Sequence, residues 1–205
     1  MSSSDATPGL RERKKRETHR LLAATAIRLI DERGLDQVTV DDIAAEAGVS
    51  TRTFFNYFAS KEDSVLIPHA DREQHNRQVL ERFDAQPAEL GSFPAMLAAI
   101  RPVLAEIDEN PQEWLARLRI VMADPGLALR ALTLDQESNA PLVAAIARRS
   151  GTDPATDVFP TLVLSLVSST LDATFRLWSA MDGARTSAGL FDEAAALAIS
   201  LTDPA

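Results

Sequence analysis

The chain contains no cysteine, so disulfides, thiol nucleophiles and thiolate metal sites are excluded at once. Histidine is nearly as scarce. His19, His69 and His75 are the only ones, and the last two stand six residues apart on an expected helix without sharing a face for a metal. The eight glycines form no phosphate-cradling loop, and neither a GxSxG nor an HExxH pattern occurs. Long apolar runs are missing too: residues 21–30 include Arg28, and residues 158–171 carry Pro160 and several hydroxyls before meeting Asp172. These absences leave no expected cofactor and no membrane partner, and they point to a cytoplasmic protein. What remains is 205 residues, 45% hydrophobic and 25% charged, enough for a sizeable core in one or two domains.

The charge is unevenly placed. Against a net −9, residues 1–66 hold ten basic and eleven acidic side chains, whereas residues 67–205 hold eleven and nineteen. Within the first part, residues 11–20 carry six basic groups against Glu12 and Glu17, a local +4. Affinity for phosphate follows such a local field rather than the total, although a solvated helix end would look the same.

Apolar positions recur at three and four, and no segment alternates as a strand would, so the expected fold is all-α. Leu22, Ala26, Leu29 and Ile30 share one face of a first helix expected from about Lys15 and stopped by Gly34, behind a flexible arm of residues 1–14. A second helix is expected at Thr39, whose hydroxyl can cap free backbone N–H groups while Asp42 completes a capping box. The neighbouring pair Asp41 and Asp42 therefore reads as helix-start charge rather than an acid–base couple. Val40, Ile43, Ala44 and Ala47 form its apolar stripe, Gly48 ends it, Ser50 caps a third helix over residues 51–58, and Ser60 caps a fourth.

Two short helices joined by a glycine turn and braced by a longer one make a helix-turn-helix. Thr51, Arg52, Thr53, Asn56 and Tyr57 are expected to face outward while Phe54 and Phe58 point in. An arginine fork, an amide, hydroxyls and an aromatic are what a major groove requires. A purely structural helical hairpin would use the same turn and caps.

The run VTVDDIAAEAGVSTRTFFNYFASKEDSVL, residues 38–66, resembles the DNA-binding domain of TetR-type (tetracycline-repressor-like) transcriptional regulators. The Ile-Ala, Ala-Gly-Val-Ser, Tyr-Phe and Ser-Lys-Glu elements fall at matching intervals. The resemblance implies a homodimer with a three-helix reading head over residues 15–66. Residues 67–205 would then be a larger helical body for effector binding and dimerisation. It implies double-stranded DNA with a near-palindromic operator as partner, and repression relieved by a small molecule. Carried over by position, Thr39 resembles a phosphate-contacting cap, and Ser50, Thr51, Arg52, Thr53 and Asn56 occupy groove-facing positions. Tyr57 and Lys61 match positions that grip phosphates. Phe55 departs from the tyrosine common there, leaving either an apolar contact to a thymine methyl or a core role.

In the body, residues 65–83 are expected to be helical with a kink or a break at Pro68, and residues 86–92 to be a loop. Met96, Leu97, Ile100 and Leu104 mark a helix over 93–107. Trp114, Leu118 and Val121 or Met122 mark the next, and residues 127–149 a third, interrupted or kinked near Pro141. A long helix over 154–179 is apolar around much of its girth, as if covered by its own body on one side and a partner on another. Leu190, Ala194, Leu197 and Leu201 of the last helix could pack beside it. In the resembling family the final two helices form a four-helix dimer interface; an ordinary monomer core is the alternative. Trp114, Met122, Phe175 and Trp178 are candidate pocket lining, with Arg117 and Arg119 as partners for an anionic group or as solvated surface. Arg117-Leu118-Arg119, Asp124-Pro125-Gly126-Leu127, Ile146-Ala147-Arg148-Arg149 and Leu177-Trp178 together are similar to mycofactocin-regulator-like members, which implies an acyl-CoA-like or otherwise apolar effector.

Two other classes stay in view. A helical interaction module could carry a helix-turn-helix that reads nothing, and a helical enzyme would have to rest on acidic and hydroxyl residues that show no organisation. Lys61, Tyr57, Arg52 and the basic residues 11–16 weigh toward DNA, the basic run reaching along the backbone or into a minor groove.

Overall fold

Helix α1 (Leu10–Arg33) opens at Leu10 rather than near Lys15, because Gly9 supplies the starting turn: its carbonyl accepts from the N–H of Glu12 at 2.8 Å and of Arg13 at 3.0 Å. Residues 10–14, expected in a flexible arm, are therefore helical. The computed structural model describes residues 9–67 and 72–202, and the chain divides into two compact units between Glu73 and Gln74. The expectations for residues 1–8, Pro68 and His69 lie outside the described residues. Every described element is a helix or a turn, with no strand among the described residues.

In the first unit, α1 is followed by a short 3-10 turn (Leu35–Gln37) and by α2 (Val40–Glu46), α3 (Thr51–Phe55) and α4 (Lys61–Leu66). Leu22, Ala26, Leu29 and Ile30 are buried as their spacing predicts, and so are Ile43, Ala44, Phe54, Phe58 and Val65 of the following elements. Val40 and Ala47 of the α2 stripe are only half-buried. Helix α3 ends at Phe55, short of the expected Phe58. Asn56 and Tyr57 donate to Thr53 O and Phe54 O, three residues back, which tightens the turn and closes the helix.

Helix α5 (Arg72–Asp84) starts two residues before the boundary, and the second unit contains the rest of it with α6 (Ser92–Asp108), α7 (Pro111–Ala123), α8 (Pro125–Ser150), α9 (Phe159–Ala180) and α10 (Ser187–Thr202). Helix α6 buries Met96, Leu97, Ile100 and Leu104 against α9 and α10. Its last residue, Asp108, caps α10 from a distance. The carboxylate accepts from Ser187 N–H at 2.7 Å and Ala188 N–H at 3.0 Å, while Ser187 Oγ donates to Leu104 O. Of the interruption or kink expected near Pro141, α8 shows no interruption: the helix is continuous there and stops at left-handed Gly151. Helix α9 starts at Phe159 rather than Pro154 because Asp153 captures the preceding residues in a turn, accepting from Ala155 N–H on its carboxylate and from Thr156 and Asp157 N–H on its carbonyl.

Arg149, near the end of α8, gathers the α5–α6 connection. Its guanidinium donates to the carbonyls of Phe83, Gln86, Pro87 and Leu90 and lies over the Phe83 ring, 5.3 Å from its centroid. No helix among the described residues is long and apolar enough to cross a membrane.

Candidate nucleic-acid interface

The α2–α3 pair is set by caps at both starts and by one glycine between. Thr39 Oγ1 accepts from Asp42 N–H at 3.1 Å, and Asp42 Oδ2 accepts from Thr39 N–H at 2.9 Å and from its hydroxyl at 2.6 Å. The expected capping box is formed. Those hydrogen bonds, the hydroxyl's first, hold the Asp42 carboxyl below the usual carboxylate range. Gly48, at φ +69°, turns the chain in the left-handed region where a β-carbon is disfavoured, and Val49 N–H closes back on Ala44 O at 2.9 Å. Ser50 Oγ then accepts from Thr53 N–H at 3.1 Å to start α3, and the two hydroxyls pair at 2.9 Å.

Around α3 the side chains separate as the sequence predicts. Phe54 and Phe58 are buried, with ring centroids 5.5 Å apart, and His19 of α1 sits against Phe58 at 4.4 Å. Arg52 and Asn56 are exposed, while Thr51, Thr53 and Tyr57 are half-buried. Phe55 is 56% exposed, which removes its core alternative. Arg52 has no hydrogen bond or ion pair among the described residues, so its fork is available to a ligand. The Thr39, Ser50 and Thr53 hydroxyls, by contrast, are engaged in caps.

A groove of about 930 Å³ runs beside the end of α3. Asn56 and Tyr57 form one wall, and Leu10, Arg11, Glu12, Lys14, Lys15 and Thr18 of α1 the other. Tyr57 is steadied by an edge contact with the His19 ring, 6.4 Å between centroids. The charge run is legible in the sequence but its role as a wall is not. The signal that places it is the spacing of Arg11, Lys14, Lys15 and Thr18 at i, i+3, i+4 and i+7, one face of a helix. Lys61 departs from the phosphate-gripping expectation: its ammonium turns inward and donates to Leu35 O at 2.6 Å and Val38 O at 2.9 Å.

The six candidate pocket residues of the second unit fall in three environments. Trp178 is fully buried, its indole N–H donating to Arg185 O at 2.9 Å, with half-buried Phe175 6.4 Å away between ring centroids. Met122 is 54% exposed, because α7 buries Leu115, Ala116 and Ile120 most deeply, with Trp114 and Leu118 half-buried against the core, Val121 half-buried, and Met122 turned outward. One residue of register turns a helix by about 100°. Arg117 is buried and overturns the solvated-surface alternative: it pairs with Glu113 at 3.2 Å and stacks on half-buried Trp114, 4.8 Å from the ring centroid. Burial pulls its pKa down, and Glu113 opposes that. Arg119 is exposed, 3.7 Å from Asp182.

Residues 22–65 match the model of bacterial regulatory proteins of the tetR family, and residues 91–202 match that of the MftR C-terminal domain. TcmR, an HTH-type transcriptional regulator of Streptomyces glaucescens, is 32% identical over 83% of this chain and 77% of its own. The MftR regulator of Mycobacterium tuberculosis is 29% identical over 74% of each chain. Among solved structures, Thermus thermophilus FadR, a repressor in complex with lauroyl-CoA, superposes with a TM-score of 0.56 at 21% identity, covering 91% of this chain and 96% of that one.

Proposed function

The chain belongs to the TetR family of DNA-binding transcriptional regulators, and from that premise we propose that it is a homodimeric repressor released from a near-palindromic operator by a small molecule. The observation that carries the reading is the free outer side of α3, where Arg52, Phe55 and Asn56 stand clear of the core next to a cationic groove. Arg52 is the base reader, its fork matching the paired acceptors of guanine, with Phe55 against a thymine methyl. Thr51 and Thr53 flank it. Asn56 and Tyr57 work from the groove wall with Arg11, Lys14 and Lys15, on the backbone side of the contact. Two such heads would read successive major grooves, roughly 34–36 Å apart.

Dimerisation through α9 and α10 is supported by apolar side chains left outside the protomer: Leu162 and Leu177 on one helix, Leu197 and Leu201 on the other. An effector bound in the second unit would favour a spacing of the two heads that fits the operator poorly, and it must bind that form several kcal/mol more tightly. We place an acyl-CoA-like ligand there, supported by the lauroyl-CoA of the Thermus regulator. Trp114, Arg117 and Phe175 are the candidate contacts, since Met122 lies on the surface and Trp178 in the core.

The test is selection of duplexes from a random or genomic pool with the purified full chain, read by fluorescence anisotropy across a salt series. Enrichment of a palindrome with a steep negative salt slope is expected. No enrichment and no salt-dependent binding would overturn the reading. Lauroyl-CoA should then release the selected duplex where free CoA does not.

A further inference from the structure

Lys61 is the first residue of α4, at the positive end of that helix, where a cation is electrostatically out of place. It is half-buried, and two main-chain carbonyls from far along the chain accept from its ammonium: Leu35 O at 2.6 Å and Val38 O at 2.9 Å. Leu35 starts the 3-10 turn that follows α1, and Val38, wholly buried, directly precedes Thr39. The ammonium thus holds both ends of the four-residue link that delivers the chain to the α2 cap. Thr39 is locked in turn to Asp42, and α2 passes its direction to α3 through Gly48. Two charge-assisted bonds to backbone atoms fix where the link lies, independent of the side chains it carries.

We propose that Lys61 is a positioning residue of the reading head: by clamping Leu35 O and Val38 O it sets the entry of α2, and hence the placement of the α3 side chains on DNA, rather than contacting phosphate itself. This rests on the DNA-reading function proposed above. A phosphate contact and a clamp predict different things of the same lysine. A phosphate ligand adds to the salt slope, by about 0.9 per contact on duplex DNA, and acts on every sequence alike. A clamp leaves the slope intact and costs affinity only where register on the bases matters.

The experiment compares Lys61→Met and Lys61→Arg in the full chain with the parent, using the duplex enriched in the selection and a scrambled duplex of equal length. Lys61→Met should bind the selected duplex about tenfold more weakly, a loss that ~1.4 kcal/mol of misplacement carries, with scrambled-duplex binding and the salt slope unchanged. Lys61→Arg, whose fork can span both carbonyls, should recover most of the loss. Equal losses on both duplexes with a shallower slope would overturn the proposal in favour of phosphate contact. Amide hydrogen exchange needs no DNA and separates this proposal from the function it rests on. Ile43, whose N–H is bonded to Thr39 O, should exchange about tenfold faster in Lys61→Met while α1 keeps its protection. Unchanged exchange would overturn the clamp even if a palindrome had been found. Loss of the whole head's helical signal would overturn it in favour of general stabilisation.

Discussion

Thr39 and Asp42 saturate each other, and this governs how the head responds to acid. The Thr39 hydroxyl and backbone N–H both stabilise the charged carboxylate, so the folded pKa of Asp42 lies below its unfolded value of about 3.9. A group depressed on folding contributes stability above its unfolded pKa and loses it as pH falls through the folded one. Asp42→Asn should therefore be less stable than the parent at neutral pH, and the gap should close below about pH 4. Parallel acid-melting curves would contradict this. On the DNA-facing side, Arg52→Ala should cost about 1–3 kcal/mol on the selected duplex and much less on a scrambled one, as competition anisotropy would read. Equal losses would assign Arg52 to phosphate. Local chemistry of this kind was legible in the sequence, because capping boxes and glycine turns depend on neighbours three or four residues away. The inward turn of Lys61 was not, since its acceptors lie 26 and 23 residues earlier.

Helices were legible by their interiors and misread at their edges. The spacing of Met96, Leu97, Ile100 and Leu104 fixed the inner face of α6. The starts of α1 and α9 shifted because each depends on a turn, at Gly9 and Asp153, that apolar periodicity does not register. On α7 the pattern offers two overlapping stripes, and burial is deepest at Leu115 and Ile120, with Leu118 half-buried against the core and Met122 exposed. The early start of α1 has a measurable effect, because it presents Arg11, Lys14 and Lys15 as one ordered cationic face. Replacing all three by alanine should weaken binding to selected and scrambled duplexes alike and flatten the salt slope by up to about 0.9 per side chain. Affinity left unchanged at low salt would remove this wall from the interface.

Across the whole molecule, the acidity of residues 67–205 and the cationic face of α1 divide the chain into a part that phosphate repels and a part it attracts. Leu162 and Leu177 of α9 and Leu197 and Leu201 of α10 are all about half exposed or more, and this is the apolar surface that the proposed dimer would cover. Leu162→Glu with Leu197→Glu should give a folded monomer by sedimentation with weakened operator binding; a dimer unchanged in mass would place the interface elsewhere. The dimer proposed above is suggested in the sequence by a helix too apolar for one face, whereas the side chains that would meet a partner are legible only in the structure. Arg149 adds a consequence of another kind. It joins the end of α8 to carbonyls about 60 residues earlier, so the stretch from Gln86 to Leu90 is tied to the docking of α8. That stretch is a built-in reporter of partial opening. In Arg149→Met, a protease should cut there well below the temperature at which the helices melt, and nicking at the parent's rate would show that the loop keeps itself in place.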